Sequence, residues 1–203
     1  TIFTTTLATN FENLILTGAS SIDGTGNAVA NKITGNEGHN ELNGDAGNDT
    51  VNGEDGNDSV FGGLGNDYVY GGFGDDTVYG DAGNDYVSAS AGNDTAYGGD
   101  GNDSVLGGGG NDLLFGDAGD DLIYDDAGNS TIYGGTGIDQ AFGYGGDDLI
   151  YGGDDGDNLY GGTGNDAVYG DAGHDVLQGD DGNDQLFGGA DNDELHGGLG
   201  NDT

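Results

Sequence analysis

From about Gly26 to Thr203 the chain keeps one beat of nine residues, with a single aliphatic position per beat and a polar, glycine-rich stretch between. The aliphatic position runs Val51, Val60, Val69, Val78, Val87, then Val105, Leu114, Ile123, Ile132 and onward to Leu195. Its immediate neighbours vary in character, so it reads as the inward residue of a three-residue strand whose flanks face outward. The six residues between successive strands are rich in Gly, Asn and Asp. They suit a tight turn, because Gly takes positive φ without steric penalty and Asn tolerates the left-handed region. Two strands and two turns close a coil of about 18 residues. The pattern therefore predicts an all-β, two-sheet parallel β-solenoid of nine coils or so, a rod roughly 45 Å long at about 4.8 Å per coil.

The unit reads G-[GD]-x-G-N-D-x-U-x with U aliphatic, as in Gly44–Asn52, Gly62–Tyr70 and Gly161–Tyr169, and it runs without insertion or deletion. Residues 1–25 break the phase. Within them Phe11-Glu12-Asn13-Leu14-Ile15-Leu16-Thr17 is strand-like, and a solenoid needs a cover over its first coil, so 1–25 is assigned as an N-terminal capping segment and 26–203 as the repeat domain. Thr203 stops one residue short of the next aliphatic position, from which the roll is expected to continue into a longer parent protein.

Composition decides what such a rod binds. There are 39 acidic residues against one basic residue, Lys32, giving a formal net charge of -38. A folded chain of this charge density needs counterions, and it lacks the Lys/Arg surface that nucleic acid or anionic lipid requires. Cations are the partners that remain. No cysteine is present, so a stabilising metal has oxygen ligands only, which points to calcium. No apolar run approaches the length of a membrane span, and no basic and apolar leader opens the chain, so neither membrane insertion nor a cleavable signal peptide is expected. The single aliphatic side chain of each repeat returns only about 1.5–3 kcal/mol on burial, far less than the entropy of ordering nine backbone units. Stacking Asp on Asp widens the deficit. The metal-free chain is expected to be disordered, with ion binding supplying the folding free energy.

The phased nonapeptides resemble the repeats-in-toxin (RTX), or hemolysin-type, calcium-binding family of bacterial secreted proteins, and the resemblance covers most of the chain. It implies a parallel β-roll with calcium in the turns. It also implies that the position-six aspartates of two turns stacked on one edge share an ion with backbone carbonyls of positions one to four. By that resemblance the metal ligands are Asp49, Asp58, Asp67, Asp76, Asp85, Asp94, Asp103, Asp112, Asp121, Asp139, Asp148, Asp157, Asp166, Asp175, Asp184, Asp193 and Asp202. Because a coil holds two repeats, Asp49 pairs with Asp67 and Asp58 with Asp76. About 16 to 18 such sites carrying +2 each would cancel nearly all of the formal charge. Several repeats depart from the unit. Asn40 and Ser130 replace the position-six Asp, Asp125 and Ala89 replace the first Gly, Tyr144 the second, and Asp155 and Asp191 the fourth. The repeat Asp125–Tyr133 carries two of these changes, and its two sites are expected to be impaired; at Ala89, Tyr144, Asp155 and Asp191 the side chain either distorts the turn or, where it is a carboxylate, offers a substitute ligand. Ala96 and Ala141 thin the aliphatic row.

At position nine, alternate repeats give Phe61, Tyr79, Tyr97, Phe115, Tyr133, Tyr151, Tyr169 and Phe187, which the coil places on one sheet. The plain reading is that they shield a thin roll; the sharper one is lateral self-association or stacking on glycans. His39, His174 and His196 read as solvated surface residues. Acid pairs recur in every repeat and no unique cleft selects two of them, so an enzyme is not expected. An EF-hand is excluded by the five glutamates, none closing a 12-residue loop. The reading is a calcium-folded module of an extracellular or cell-surface protein exported unfolded by a one-step (type I) secretion system. The alternative is a structural surface protein, such as an adhesin stalk, an S-layer or a filament subunit. An enzyme appendage ranks third.

Overall fold

Strand and turn alternate as the nine-residue beat requires. The computed structural model describes residues 3–203; Thr1 and Ile2, part of the expected capping segment, lie outside them. Among the described residues two parallel sheets of eleven strands each are formed. Consecutive strands fall in opposite sheets, so every coil gives one strand to each. Register is set by eighteen-residue steps that put like on like: Val51 pairs with Val69, and Val69 with Val87. Aliphatic side chains from both sheets meet in one core, where Ile33, Leu42, Leu114, Ile150 and Leu177 are fully buried. Ala96 stacks between Val78 and Leu114 and is itself fully buried. In the last coil Leu195 is 43% exposed. No helix of the described residues is long and apolar enough to cross a membrane.

Two details depart from expectation. Most strands are six residues long, not three: Ser59–Leu64 runs from position seven through position three of the next repeat. Along it half-buried and buried residues alternate, so position one faces inward as position eight does. That is the reason for Gly there. A Cβ built on Gly98 would lie 2.6 Å from Asp103 Oδ2 and 2.7 Å from the carbonyl oxygen of Gly116 in the following coil. Ala89 is the one aliphatic side chain at this position, and it is fully buried.

The second departure concerns the N-terminal segment. Phe3–Thr6 and Asn13–Ile15 are the first strands of the two sheets, paired in parallel like every later strand. Thr4 pairs with Asp23 and Asn13 with Lys32, steps of nineteen, whereas Lys32 pairs with Thr50, a step of eighteen. The extra residue lies in the connection between Ile15 and Ile22. A single insertion thus hides a first coil whose strands join the same two sheets, although Thr4 to Thr6 are exposed. With eleven strands per sheet, the rod is about 53 Å long at about 4.8 Å per strand, longer than the nine coils imply.

Candidate metal centre

Each turn brings its position-six aspartate under the turn of the preceding coil. The backbone N–H of Asp49 donates to Asp67 Oδ1 at 2.7 Å, and that of Asp67 to Asp85 Oδ1 at 2.7 Å. On the other edge Asp58 donates to Asp76 Oδ1 and Asp76 to Asp94 Oδ1, both at 2.8 Å. The two columns continue through Asp103, Asp121, Asp139, Asp157, Asp175 and Asp193, and through Asp112, Asp148, Asp166, Asp184 and Asp202. These carboxylates are buried from Asp49 to Asp184 and half-buried at Asp193 and Asp202.

One oxygen of each pair is accounted for and the other is not. From Asp49 to Asp184, every position-six aspartate has a buried Oδ2 with no hydrogen-bond partner. A buried polar atom left in that state costs about 1–3 kcal/mol, more if charged, and here the omission repeats in every coil. The Oδ2 atoms lie beside backbone oxygens. Carbonyls of positions two and four approach the following coil, as Asp45 does toward Gly63 and Gly47 toward Gly65. Carbonyls of positions one and three turn back, as Gly62 does toward Gly44, while the Leu64 carbonyl accepts from the Gly47 N–H at 2.7 Å. Stacked turns therefore present carboxylate and carbonyl oxygens to a common gap. Among the described residues no three Asp, Glu or His side chains converge on one point; most of the donors are main-chain. An oxygen-only set of this kind suits a hard cation of high coordination number.

The electrostatics carry the same sign. Burial pushes the carboxyls of Asp58, Asp85, Asp94, Asp121, Asp148 and Asp157 up to about 7, against the donated backbone N–H, and neighbouring carboxylates push further. Those of Asp49, Asp103, Asp139 and Asp166 rise to about 6 for the same reasons. Such columns hold protons or cations, not bare charge.

Comparison with known families gives the ion its name. The family model of the RTX calcium-binding nonapeptide repeat matches in overlapping copies from residues 25–60 to 169–203, covering the chain from 25 to its last residue. The chain belongs to the RTX calcium-binding nonapeptide repeat family. No curated protein matches it. As an RTX roll it is a structural calcium-binding fold, and calcium is the cation its turns call for.

The departures from the RTX unit fall in different places. Asn40 brings no charge to its turn: its side-chain Oδ1 accepts the N–H of Asn36 in the same turn at 2.9 Å, and its own N–H donates to Asp58 Oδ1 at 2.7 Å. Asn31 does the same on the other edge, donating to Asp49 Oδ1. Asp155 and Asp191 enter the left-handed region at φ 75° and 78°, and both are exposed. Tyr144 does so at φ 57°.

A second ladder, beyond what the repeat pattern predicts, runs along each edge. The position-five side chains of an edge accept from the following coil: Asn48 Oδ1 from Asn66 N–H at 3.1 Å, and Asn66 Oδ1 from Asn84 N–H at 3.1 Å. His39 and His174 occupy this position. The backbone N–H of Asn57 donates to His39 Nδ1 at 2.8 Å, and that of Asn192 to His174 Nδ1 at 3.1 Å, so these histidines are ladder members and not merely solvated. The signal for this ladder in the sequence is the recurrence of Asn at position five, which turn propensity alone also explains.

The eight alternate position-nine aromatics from Phe61 to Phe187 share one sheet, as the coil length required, while Tyr124, Phe142 and Tyr160 stack on the other. Phe61, Tyr79, Tyr97 and Phe115 stack at centroid separations of 4.7 Å, 4.8 Å and 4.7 Å with planes within a few degrees. The row continues to Phe187. Each ring face is covered by its neighbour, which leaves edges outward. A sugar stacks on a ring face, so this geometry disfavours the glycan reading.

Proposed function

We propose that the chain is a calcium-responsive folding module: disordered without the ion and wound into the roll when many calcium ions bind between stacked turns. The ligands are the position-six aspartates from Asp49 to Asp202, each ion also taking main-chain carbonyls. The observation that carries this reading is the row of buried, unpartnered Oδ2 atoms, repeated on both edges. A cation in the gap partners them and removes the repulsion between stacked carboxylates, so its binding free energy becomes folding free energy. Sites of roughly 10⁻⁴–10⁻³ M affinity would stand empty in a cytosol near 10⁻⁷ M calcium and fill outside the cell. The module thereby suits a bacterial protein exported unfolded, as a one-step secretion system requires, and folded at the surface or in the medium. RTX repeats typically belong to secreted proteins, which supports that placement.

The test is a calcium titration of the purified chain followed by far-ultraviolet circular dichroism, with magnesium in parallel. Calcium produces a cooperative gain of β signal; magnesium does not, because it dehydrates too reluctantly for so many carbonyl ligands. Equal folding by magnesium overturns the ion assignment. Sedimentation of the folded chain gives a monomer if the stacked rings shield the roll, and calcium-dependent polymers if they join copies side by side.

A further inference from the structure

The repeat 125–133 lacks the position-six carboxylate, because Ser130 stands there. Ser130 nevertheless fills half of the aspartate's role. Its Oγ accepts the Asp112 N–H at 2.9 Å, and its own N–H donates to Asp148 Oδ1 at 2.8 Å, as an aspartate at this place does. It has no second oxygen to turn toward the gap. That oxygen comes from elsewhere in the same repeat. Asp125 holds position one, normally Gly; its side chain is fully buried, neither carboxylate oxygen makes a well-formed hydrogen bond, and the groups beside it are the Ser130 hydroxyl and the Asp112 carboxyl.

The direction of that side chain is fixed by its neighbours. In an ordinary coil the volume over the position-one Cα lies between the Oδ2 of the same repeat and the position-one carbonyl of the following coil, as at Gly98. Over Gly107 the corresponding pair is Asp112 Oδ2, 2.6 Å from an ideal Cβ, and Asp125 Oδ1, 2.7 Å from it. The Asp125 carboxylate has taken the place of a carbonyl oxygen and lies beside Asp112. The main chain has moved to allow this: the N–H groups of Asp126 and Ala127 both donate to the Gly108 carbonyl at 3.2 Å, and the strand Leu122–Tyr124 stops short of Asp125. Ser130 has no Oδ2 to compete for the space that the Asp125 carboxylate enters.

We infer that Asp125 is a calcium ligand in the gap between the turns 107–112 and 125–130, with the two tasks of one aspartate divided between Ser130, which accepts the N–H, and Asp125, which meets the ion. The inference rests on the calcium reading above and adds to it a ligand outside the repeat pattern. It keeps the column at one carboxylate per turn between Asp112 and Asp148.

The test counts bound calcium per chain, by equilibrium dialysis and by native mass spectrometry, at saturating calcium. Asp125→Asn binds one ion fewer than the parent chain, whereas Ser130→Ala keeps the full count. The double variant Asp125→Gly with Ser130→Asp restores the ordinary unit and the full count, which also decides the matter if Asp125→Asn alone folds poorly. An unchanged count in Asp125→Asn overturns the assignment, and so does a double variant that fails to recover the lost ion. A parent chain that binds no calcium at all refutes the wider calcium reading instead.

Discussion

Strip the chain of divalent ions and the aspartate columns become the main term in its stability, with a sign that pH controls. The carboxyls of Asp58, Asp85, Asp94, Asp121, Asp148 and Asp157 are raised by burial from 3.8 to about 7 in the folded roll. Their folded values lie above the unfolded one, so their contribution is fully present below about pH 4 and is lost as pH rises through 7. Above that range each ionised carboxyl costs about 4 kcal/mol, at about 1.4 kcal/mol per pH unit. Water that reaches the turn edges screens the charges and halves this to about 2 kcal/mol. The six together cost on the order of 12 kcal/mol, as much as the whole stability of a typical domain. In excess chelator the chain should therefore be unfolded at pH 7.5 and gain β structure between about pH 6 and 4, as protons do in part what calcium does. Circular dichroism across that range reads the change, and light scattering separates folding from acid aggregation. A cooperative β-rich melt in chelator at pH 7.5, unmoved by acidification, would refute the claim that stacked aspartates hold the metal-free chain open.

Gly83 has φ +143°, and a Cβ on it would run into the Gly65 carbonyl; Gly83→Ala should cost about 1–3 kcal/mol in backbone strain alone and raise the calcium midpoint of folding. Gly109 has nothing within 4 Å of its missing Cβ, so Gly109→Ala should leave that midpoint within about 0.5 kcal/mol of the parent. Leu114 is fully buried beside Ala96, and Leu114→Ala should cost about 2–5 kcal/mol, read as a higher midpoint with the count of bound ions unchanged at saturation. Tyr133 stacks on Phe115 and Tyr151, each at 5.0 Å; Tyr133→Ala should lower the thermal midpoint of the calcium-loaded roll by the equivalent of about 1–3 kcal/mol, and no loss would mean the ring row adds nothing beyond cover.

The architecture was legible because one period carried it. Val51, Val69 and Val87 announced the inward row, and the doubled period set the register that places Phe61 on Tyr79 and Asp49 beside Asp67. What periodicity does not report is the direction of a carbonyl or of a side-chain oxygen. The inward turn of position one, and so the reason for Gly62 or Gly98, depends on where the Oδ2 five residues later lies. The position-five ladder depends on Asn48 Oδ1 meeting an N–H eighteen residues on. The first coil was hidden for a different reason: one residue inserted between Ile15 and Ile22 breaks a nine-residue count, yet a turn absorbs it without moving either strand out of register.

Both ladders run along the same edges, and they run in opposite senses. Position six accepts the N–H of the preceding coil through Oδ1, while position five accepts that of the following coil. Each turn is thus tied to both neighbours by side-chain oxygens, and the tie through position six leaves Oδ2 buried and free. Fixing Oδ1 on a backbone donor removes the rotational freedom by which Oδ2 could reach water, so the ladder that aligns the turns also holds the charge in place. Neutral Asn40 on one edge and Asn31 on the other donate their N–H groups to Asp58 and Asp49 as the ladder requires. They turn their own Oδ1 back to the N–H groups of Asn36 and Asn27 in the same turn, so each begins a column without adding a charge to it. Replacing a central aspartate by Asn should accordingly separate the two roles: the turn stays tied and the metal-free roll is less strained, while the calcium-loaded roll loses an ion. Ser130 performs the same separation within the native chain, and Asp125 beside it returns the carboxylate that the ion needs.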